Sequence, residues 1–300
     1  MAHLFPSRAG GTSAKMSEDQ PFDRRLRRLR RDRAAPDFAN ADYLHRLAAD
    51  ELLDRLGGVT REFRSALDLG CWDGYLARRL REQGLRVTCA DAGALFAGAA
   101  GGVQADEDRL PFADAAFDLI MSVGVLDAVN DLPGALTLIR RALKPDGLFL
   151  AAFVGAGSLP RLRSAMGAAD AAMGAASPRI HPQIDVRAAG DLLTRAGFKL
   201  QVADSSLVEV RFSSVASLIR DLRAMGATNI LHARSTRPIT RHALAAALAD
   251  FEAHADADGK TVERFEIVYL TGWAPSPDQP KPARRGSATA SLAEALRNKA

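Results

Sequence analysis

Cysteine is nearly absent from these 300 residues: Cys71 and Cys89 are the two in the chain. Two thiols make neither a disulfide framework nor a zinc site, and such scarcity points to a reducing compartment. Long apolar runs are missing too. None approaches the roughly 18–20 residues of a membrane span, so an integral membrane protein is not expected. The opening stretch MAHLFPSRAGGTSAKM lacks the apolar centre and cleavage pattern of a secretory signal. It has the arginine, serine and small residues of a transit peptide but is short for one, so a disordered leader over 1–20, or a true start at Met16, is expected. No internal repeat stands out.

Hydrophobic content of 47% and charged content of 25% are ordinary for a globular protein large enough to bury a core. The net charge of +4 conceals an uneven distribution, because residues 24–33 read RRLRRLRRDR. Phe22, Leu26 and Leu29 fall at i, i+4 and i+7, one helical face with arginines around it. Such an arm suits anionic lipid, nucleic acid or an acidic partner. The plainer reading, preferred here, is a solvated helix whose narrow apolar stripe docks on the body of the protein.

From 40 to 57 the apolar spacing is helical, and Gly57-Gly58 stops it. Strands and helices then alternate. Strands are expected at Ser65–Leu69, Leu85–Ala90, Val103–Ala105, Phe117–Val123 and Leu148–Val154. Helices are expected at about 74–83 and Leu132–Leu143, with KPDG (144–147) as a turn. Strands separated by helices of this length imply a doubly wound, mostly parallel α/β sheet. Beyond 155, helices near 158–173 and 186–196 precede a strand at 198–204, and helices near 214–225 and 240–255 precede a strand at 264–273. The domain reading is N-terminal helices over 21–62 and an α/β domain over 63–273. Cap insertions lie at about 155–195 and 211–260, and an extended Pro- and Ser-rich tail covers 274–300.

In open α/β sheets ligands sit beyond the carboxyl ends of the strands, where the strand order reverses. The first strand ends in LDLG, which brings Asp68 and Gly70 there, with Gly74 opening the next helix. Asp91 ends the second strand, where an acid accepts hydrogen bonds from a ribose diol. A dinucleotide and S-adenosylmethionine (SAM) both meet these requirements. The motif GCWDGY lacks the third glycine of G-x-G-x-x-G. Asp106 and Glu107, in ADEDRLPF, are placed to accept from an adenine amino group. The strand FDLIMSV runs into a loop that would border the reacting methyl group. Acids with little basic character suit a sulfonium and an amino group rather than a pyrophosphate, so SAM is the expected cofactor. A metal site is not expected: HAD at 254–256 has the spacing of an iron site but no histidine follows it.

LDLGCWDGY, ADEDRLPF, FDLIMSV and IRRALKPDGLF resemble the successive motifs of class I SAM-dependent methyltransferases. More narrowly, VNDLPGALTLIRRALKPDG, IRDLRAMGATN and the tail PARRGSATASL resemble the mitochondrial complex I assembly factor five family, itself related to the malonyl-carrier-protein methyltransferases of biotin synthesis. The resemblance implies a Rossmann-like SAM-binding fold. For the eukaryotic members it implies hydroxylation of an arginine on a complex I subunit. It makes a complex I subunit a candidate partner and nucleic acid an unexpected one, with at most peripheral membrane contact through the arginine-rich helix. With 6 lysines among 40 basic residues, the chain is similar to bacterial proteins, so the cytoplasm is expected, or the mitochondrial matrix if eukaryotic.

The chain departs from the family at four motifs. Gly70-Cys71-Trp72-Asp73-Gly74 stands for G-C-G-x-G, and Leu126-Asp127-Ala128 for Leu-His-Trp. Pro178-Arg179-Ile180-His181-Pro182 stands for Pro-His-Ile-Ser-Pro, and Met225-Gly226-Ala227-Thr228-Asn229 for Met-Gly-Glu-x-Asn. The expected cofactor residues are Asp68, Gly70, Gly74, Asp91, Asp106 and Glu107. Asp127 and His181 are catalytic candidates; otherwise Asp127 caps a helix and His181 is structural. Arg163, Asp221, Arg223 and Asn229 lie near the cap. Trp72 is expected to turn its indole away from the cleft, leaving SAM binding weakened but present; the alternative is an indole that fills the space of the cofactor's amino-acid end and closes the site. Two functions stand open: a SAM-dependent methyltransferase acting on a small molecule or protein side chain, or an assembly factor whose work is binding, with arginine modification or no chemistry.

Overall fold

A computed structural model of the chain describes residues 20–279 and Arg297. The expected leader, but for residue 20, and the tail motif at 282–292 lie outside those residues. An arginine-rich helix α1 (Arg24–Ala34) and helix α2 (Tyr43–Gly57) precede the sheet. Strand β1 (Ser65–Leu69), helix α3 (Tyr75–Glu82), strand β2 (Arg86–Asp91), helix α4 (Ala94–Ala99) and strand β3 (Val103–Gln104) form the first half. Strand β4 (Phe117–Val123), helix α5 (Leu132–Ala142), strand β5 (Leu143–Val154), helices α6 (Pro160–Met173) and α7 (Val186–Ala196) and strand β6 (Lys199–Phe212) follow. Helices α8 (Val215–Ala224) and α9 (Arg241–Glu252) lead to strand β7 (Thr261–Trp273).

The seven strands lie in the order β3-β2-β1-β4-β5-β7-β6. Strands β1 to β5 are parallel, and β7 runs antiparallel to both β5 and β6. The expected doubly wound, mostly parallel sheet is therefore present. Order reverses between β1 and β4, and that is where a ligand crevice forms. β4 is buried at every position, as a strand covered on both faces must be. Its Leu119, Met121 and Val123 join one apolar cluster with α2, α6, α8 and α9, while Ile120 joins another with α5 and α7. Of the two segments expected to cap the sheet, α6, α8 and α9 share one face, and α7 packs on the opposite face.

Two strands run longer than their sequence pattern suggests. β5 begins at Leu143 because that residue already pairs with Phe117, and the expected KPDG turn is taken up as an irregularity in the ladder. β6 continues to Phe212 because it pairs residue by residue with β7 from Val202 onward. Most of its side chains are exposed on this edge, and the alternation that marks a strand appears late, with Val208, Val210 and Phe212 turned inward.

Helix α6 begins without a side-chain cap of its own, at Leu159 in the left-handed region. Glu263, fully buried on β7, accepts instead from the Leu162 and Arg161 amides at 2.7 and 3.2 Å. This carboxylate satisfies donors that a helix start leaves orphaned and favours the positive end of the helix dipole. Glu263→Ala is expected to destabilise the protein by about 1–3 kcal/mol, and Glu263→Gln, which keeps an acceptor, by less. Urea unfolding of the two variants checks this.

Candidate functional site

β1 runs into a tight turn that only particular residues can make. Gly70 has φ of +82°, and a Cβ on it would lie 2.4 Å from the Val125 side chain. Its amide donates to the Ala90 carbonyl at 2.8 Å, tying the turn to β2. Gly74, also left-handed, precedes α3. Asp68 is buried beneath this turn and accepts from the Ala77 amide at 3.1 Å. Burial, reinforced by the nearby Cys89 and Asp91, raises its carboxyl well above the usual range.

Trp72 contradicts expectation. Its indole is buried, not turned aside, and its Nε1 donates to the Val123 carbonyl at the end of β4, 2.8 Å away. The ring therefore spans the crevice between β1 and β4. It stacks on Phe38 at 4.9 Å and meets His45 and Phe96 edge-on at 4.4 and 5.3 Å. Its φ of +47° is a conformation that costs a bulky residue about 1–2 kcal/mol. The packing and hydrogen bond offset that strain.

The acids of the crevice are not free. Arg31 engages Asp91 through both Nε, at 2.9 Å, and Nη2. Arg28 bonds Asp106 at 2.7 Å, Arg27 holds Glu107 at 2.6 and 2.8 Å, and Arg24 holds Asp108 at 2.5 Å through two parallel bonds. These arginines recur at i, i+3, i+4 and i+7, so α1 presents them as one stripe. Of the expected apolar stripe, Phe22 and Leu26 dock against Ile230 and Leu231, but Leu29 is 44% exposed, and the buried Arg27 and Arg31 make the contact further along. Apolar spacing was the visible signal, but the interleaved arginine spacing facing a D-E-D run was the one that mattered. Burial disfavours the Arg27 charge, yet Glu107 outweighs it and holds the guanidinium above its usual value.

Beside this plugged crevice opens an apolar cavity of about 250 Å³. Leu44, Met166, Leu222, Met225, Phe265 and Ile267 line it, and Trp72, Gly124, His45, Asp127, His181 and Asn229 form its polar side. His45, unremarkable in the sequence, lies against Gly124, where a Cβ would come within 2.7 Å of its Nε2. Burial and the charge of Arg31 push its pKa down to about 3, and its buried Nδ1 has no hydrogen-bond partner among the described residues. Burial raises the carboxyl of Asp127. His181 accepts from the Ile230 amide at 3.1 Å and packs edge-on against Phe22 at 5.2 Å. Asn229 shapes the same loop, donating to the Pro178 carbonyl at 2.8 Å and accepting from the Leu231 amide at 3.0 Å.

The expected residues thus divide into two groups. Asp68, Gly70, Gly74 and Asp91 gather at the ends of β1 and β2, with Asp106 and Glu107 held beside them by α1. Asp127 and His181 instead face the cavity. Arg163 bonds Gln183 at 3.0 Å, and Asp221 accepts from the Tyr43 hydroxyl at 3.2 Å. His254 contacts the Asp250 carbonyl at 2.8 Å, and among the described residues no group of three or more His, Cys, Asp or Glu is placed to hold a metal ion.

SAM does not fit this crevice as it stands. A carboxylate offers about four lone-pair positions, and those of Asp91 accept two bonds from Arg31, one from the Trp72 amide and one from the Gly93 amide. No acceptor remains for a ribose diol, and the indole occupies the adjoining space.

A family of methyltransferase domains matches residues 40–202. Arginine-hydroxylase NDUFAF5, a mitochondrial protein of Danio rerio, is 36% identical over 284 residues, covering 91% of this chain and 88% of that one. The Homo sapiens protein of the same name is also 36% identical, covering 91% and 82%. A malonyl-[acyl-carrier protein] O-methyltransferase of Methylovorus is 32% identical over 268 residues, covering 83% and 88%. Among solved structures, a Bacillus halodurans protein described as a methyltransferase has a TM-score of 0.52 at 13% identity, covering 76% of this chain and 100% of that one. That likeness shows the fold alone.

Burial and the charges of Arg30 and Arg27 lower the pKa of His181 from 6.5 to about 4. A ring that sheds its proton more readily when folded stabilises fully above pH 6.5, and that contribution is lost as pH falls towards 4. Asp68 and Asp127, with raised values, act in the opposite sense, so the informative quantity is a difference. Between pH 7 and 4 the wild type is expected to lose up to about 3 kcal/mol more stability than His181→Gln, read from parallel urea titrations.

Proposed function

The chain belongs to the NDUFAF5 family of methyltransferase-domain proteins, and we propose that it is a SAM-binding transferase that modifies a group presented in the apolar cavity beneath α6 and α8. The observation that carries this reading is the placement of Asp91 at the end of β2, beside the Gly70–Gly74 turn, in a crevice adjoining that cavity. With Arg31 on Asp91 and the Trp72 indole across the crevice, the cofactor has no room there in this structure. The chain's own contribution is a largely apolar pocket in which His45 and His181 are uncharged at neutral pH. Asp127, the acid lining this pocket, has its carboxyl raised by burial. Arg27 and Arg31 are already paired, so the pocket offers a substrate hydrogen bonds and apolar surface rather than a free charge.

A second reading follows from the relatives named arginine-hydroxylase, similar across 91% of this chain. In it the protein acts on an arginine of a respiratory complex I subunit, or holds that subunit without chemistry. The relatives' mitochondrial location supports the mitochondrion for a eukaryotic chain. No helix among the described residues is long and apolar enough to cross a membrane. Nucleic acid has no part in either reading.

Calorimetric titration of SAM and S-adenosylhomocysteine into the wild type and Trp72→Gly tests the first reading. The glycine variant is expected to bind at least about tenfold more tightly, since the indole is removed from the crevice. No binding by either protein, with Arg31→Gln failing to bind as well, would defeat the transferase reading. Affinity capture tests the second: recovery of a complex I subunit by wild type and Asp91→Asn alike is expected of a scaffold, and dependence on Asp91 would return the cofactor to the centre.

A further inference from the structure

Four carboxylates in a row, Asp91, Asp106, Glu107 and Asp108, each hold a guanidinium, and all four guanidinium groups come from α1. The pairs run in opposite order along the two segments, Arg24 with Asp108 and Arg31 with Asp91, as a helix laid antiparallel in a trough would arrange them. We infer that this row is a guanidinium-binding site whose resident occupant is the chain's own α1, and that α1 and the adenosine part of a SAM-type cofactor exclude one another from it. The inference rests on the transferase reading above.

Three observations support it. Asp91, in the place of a ribose acceptor, is saturated, and two of its four hydrogen bonds come from Arg31. Next, the Arg31 guanidinium lies over the Trp72 ring, 3.6 Å from its centroid, so the same side chain holds the indole across the crevice. Finally, the helix is held mainly by charge. Leu29 is exposed, Ala34 is buried at its end, and the apolar anchor at its start is Phe22 with Leu26, packed with Ile230 and Leu231. There the Phe22 amide donates to Asn130 Oδ1 at 2.9 Å and the Asp23 amide to the Ile230 carbonyl at 2.8 Å. That junction is a fixed end about which the arginine-bearing part can leave the trough while the chain stays attached. Cofactor affinity is then the intrinsic affinity scaled by the fraction of molecules in which α1 is undocked.

The test is binding of S-adenosylhomocysteine to the full chain by calorimetry, with hydrogen exchange across 24–34. The variants are Arg31→Gln and the double variant Arg24→Ala/Arg28→Ala. In the double variant the arginines are partly exposed, so the fold is retained if the buried Arg31 pair proves indispensable. Binding at least about tenfold tighter in Arg31→Gln, a smaller gain in the double variant, and faster exchange of 24–34 when ligand is added to the wild type are expected. Equal affinities in all three proteins, with exchange of 24–34 unchanged by ligand, would overturn the competition and leave the transferase reading standing. Absence of binding by every variant, Trp72→Gly included, while circular dichroism shows each folded, would overturn both.

Discussion

Arg31 meets Asp91 where neither side chain reaches solvent, and the rest of the site is arranged around that contact. Burying a charge is tolerable when it is paired and fully hydrogen-bonded. The amides of Trp72 and Gly93 complete the Asp91 side of the pair, and the indole face of Trp72 covers the guanidinium. Removing either partner would strand a buried charge at a cost of about 3–5 kcal/mol. The pair therefore ties together α1, the glycine turn after β1 and the end of β2, three segments far apart in the chain.

The cavity depends on the same arrangement. Trp72 forms part of its wall only because the indole lies across the crevice, and Arg27 and Arg31 border it only because α1 is docked. On its other side the wall comes from α6 and α8, and α6 is anchored to the sheet by Glu263. The loop carrying Asn229 and Ile230 touches His181 and the segment before α1 together. Residues of 70–74, 178–182 and 225–229 thus line one cavity, and Asp127 faces it too.

Much of the architecture was legible in advance, because parallel strands buried on both faces read as apolar runs and their helices as 3.6-residue stripes. The strand end at Asp91 and the left-handed turn at Gly70 could be placed because each has a local physical requirement. The full length of β6 was not legible. Between Ala203 and Leu207 its ladder with β7 is made by backbone groups beneath polar or exposed side chains, so the alternation of Val208, Val210 and Phe212 stands apart from the strand's start. His45 carried no signal either, since what distinguishes it is lying against Gly124 and Trp72, both remote in sequence.

The amino-acid order by itself determined the sheet, its switch point and the row of acids there, since these follow from periodicity, from turn residues and from where strands end. It also determined a helix with arginines at i, i+3, i+4 and i+7. What those arginines face is a matter of tertiary structure alone, because an ion pair between residues 31 and 91 depends on how α1 packs, and no local preference encodes it. The direction of the Trp72 indole was decided the same way. A left-handed backbone at that position is unfavourable in isolation, and only the Val123 carbonyl, the Phe38 ring and the Arg31 guanidinium, brought together by the fold, make it the stable choice.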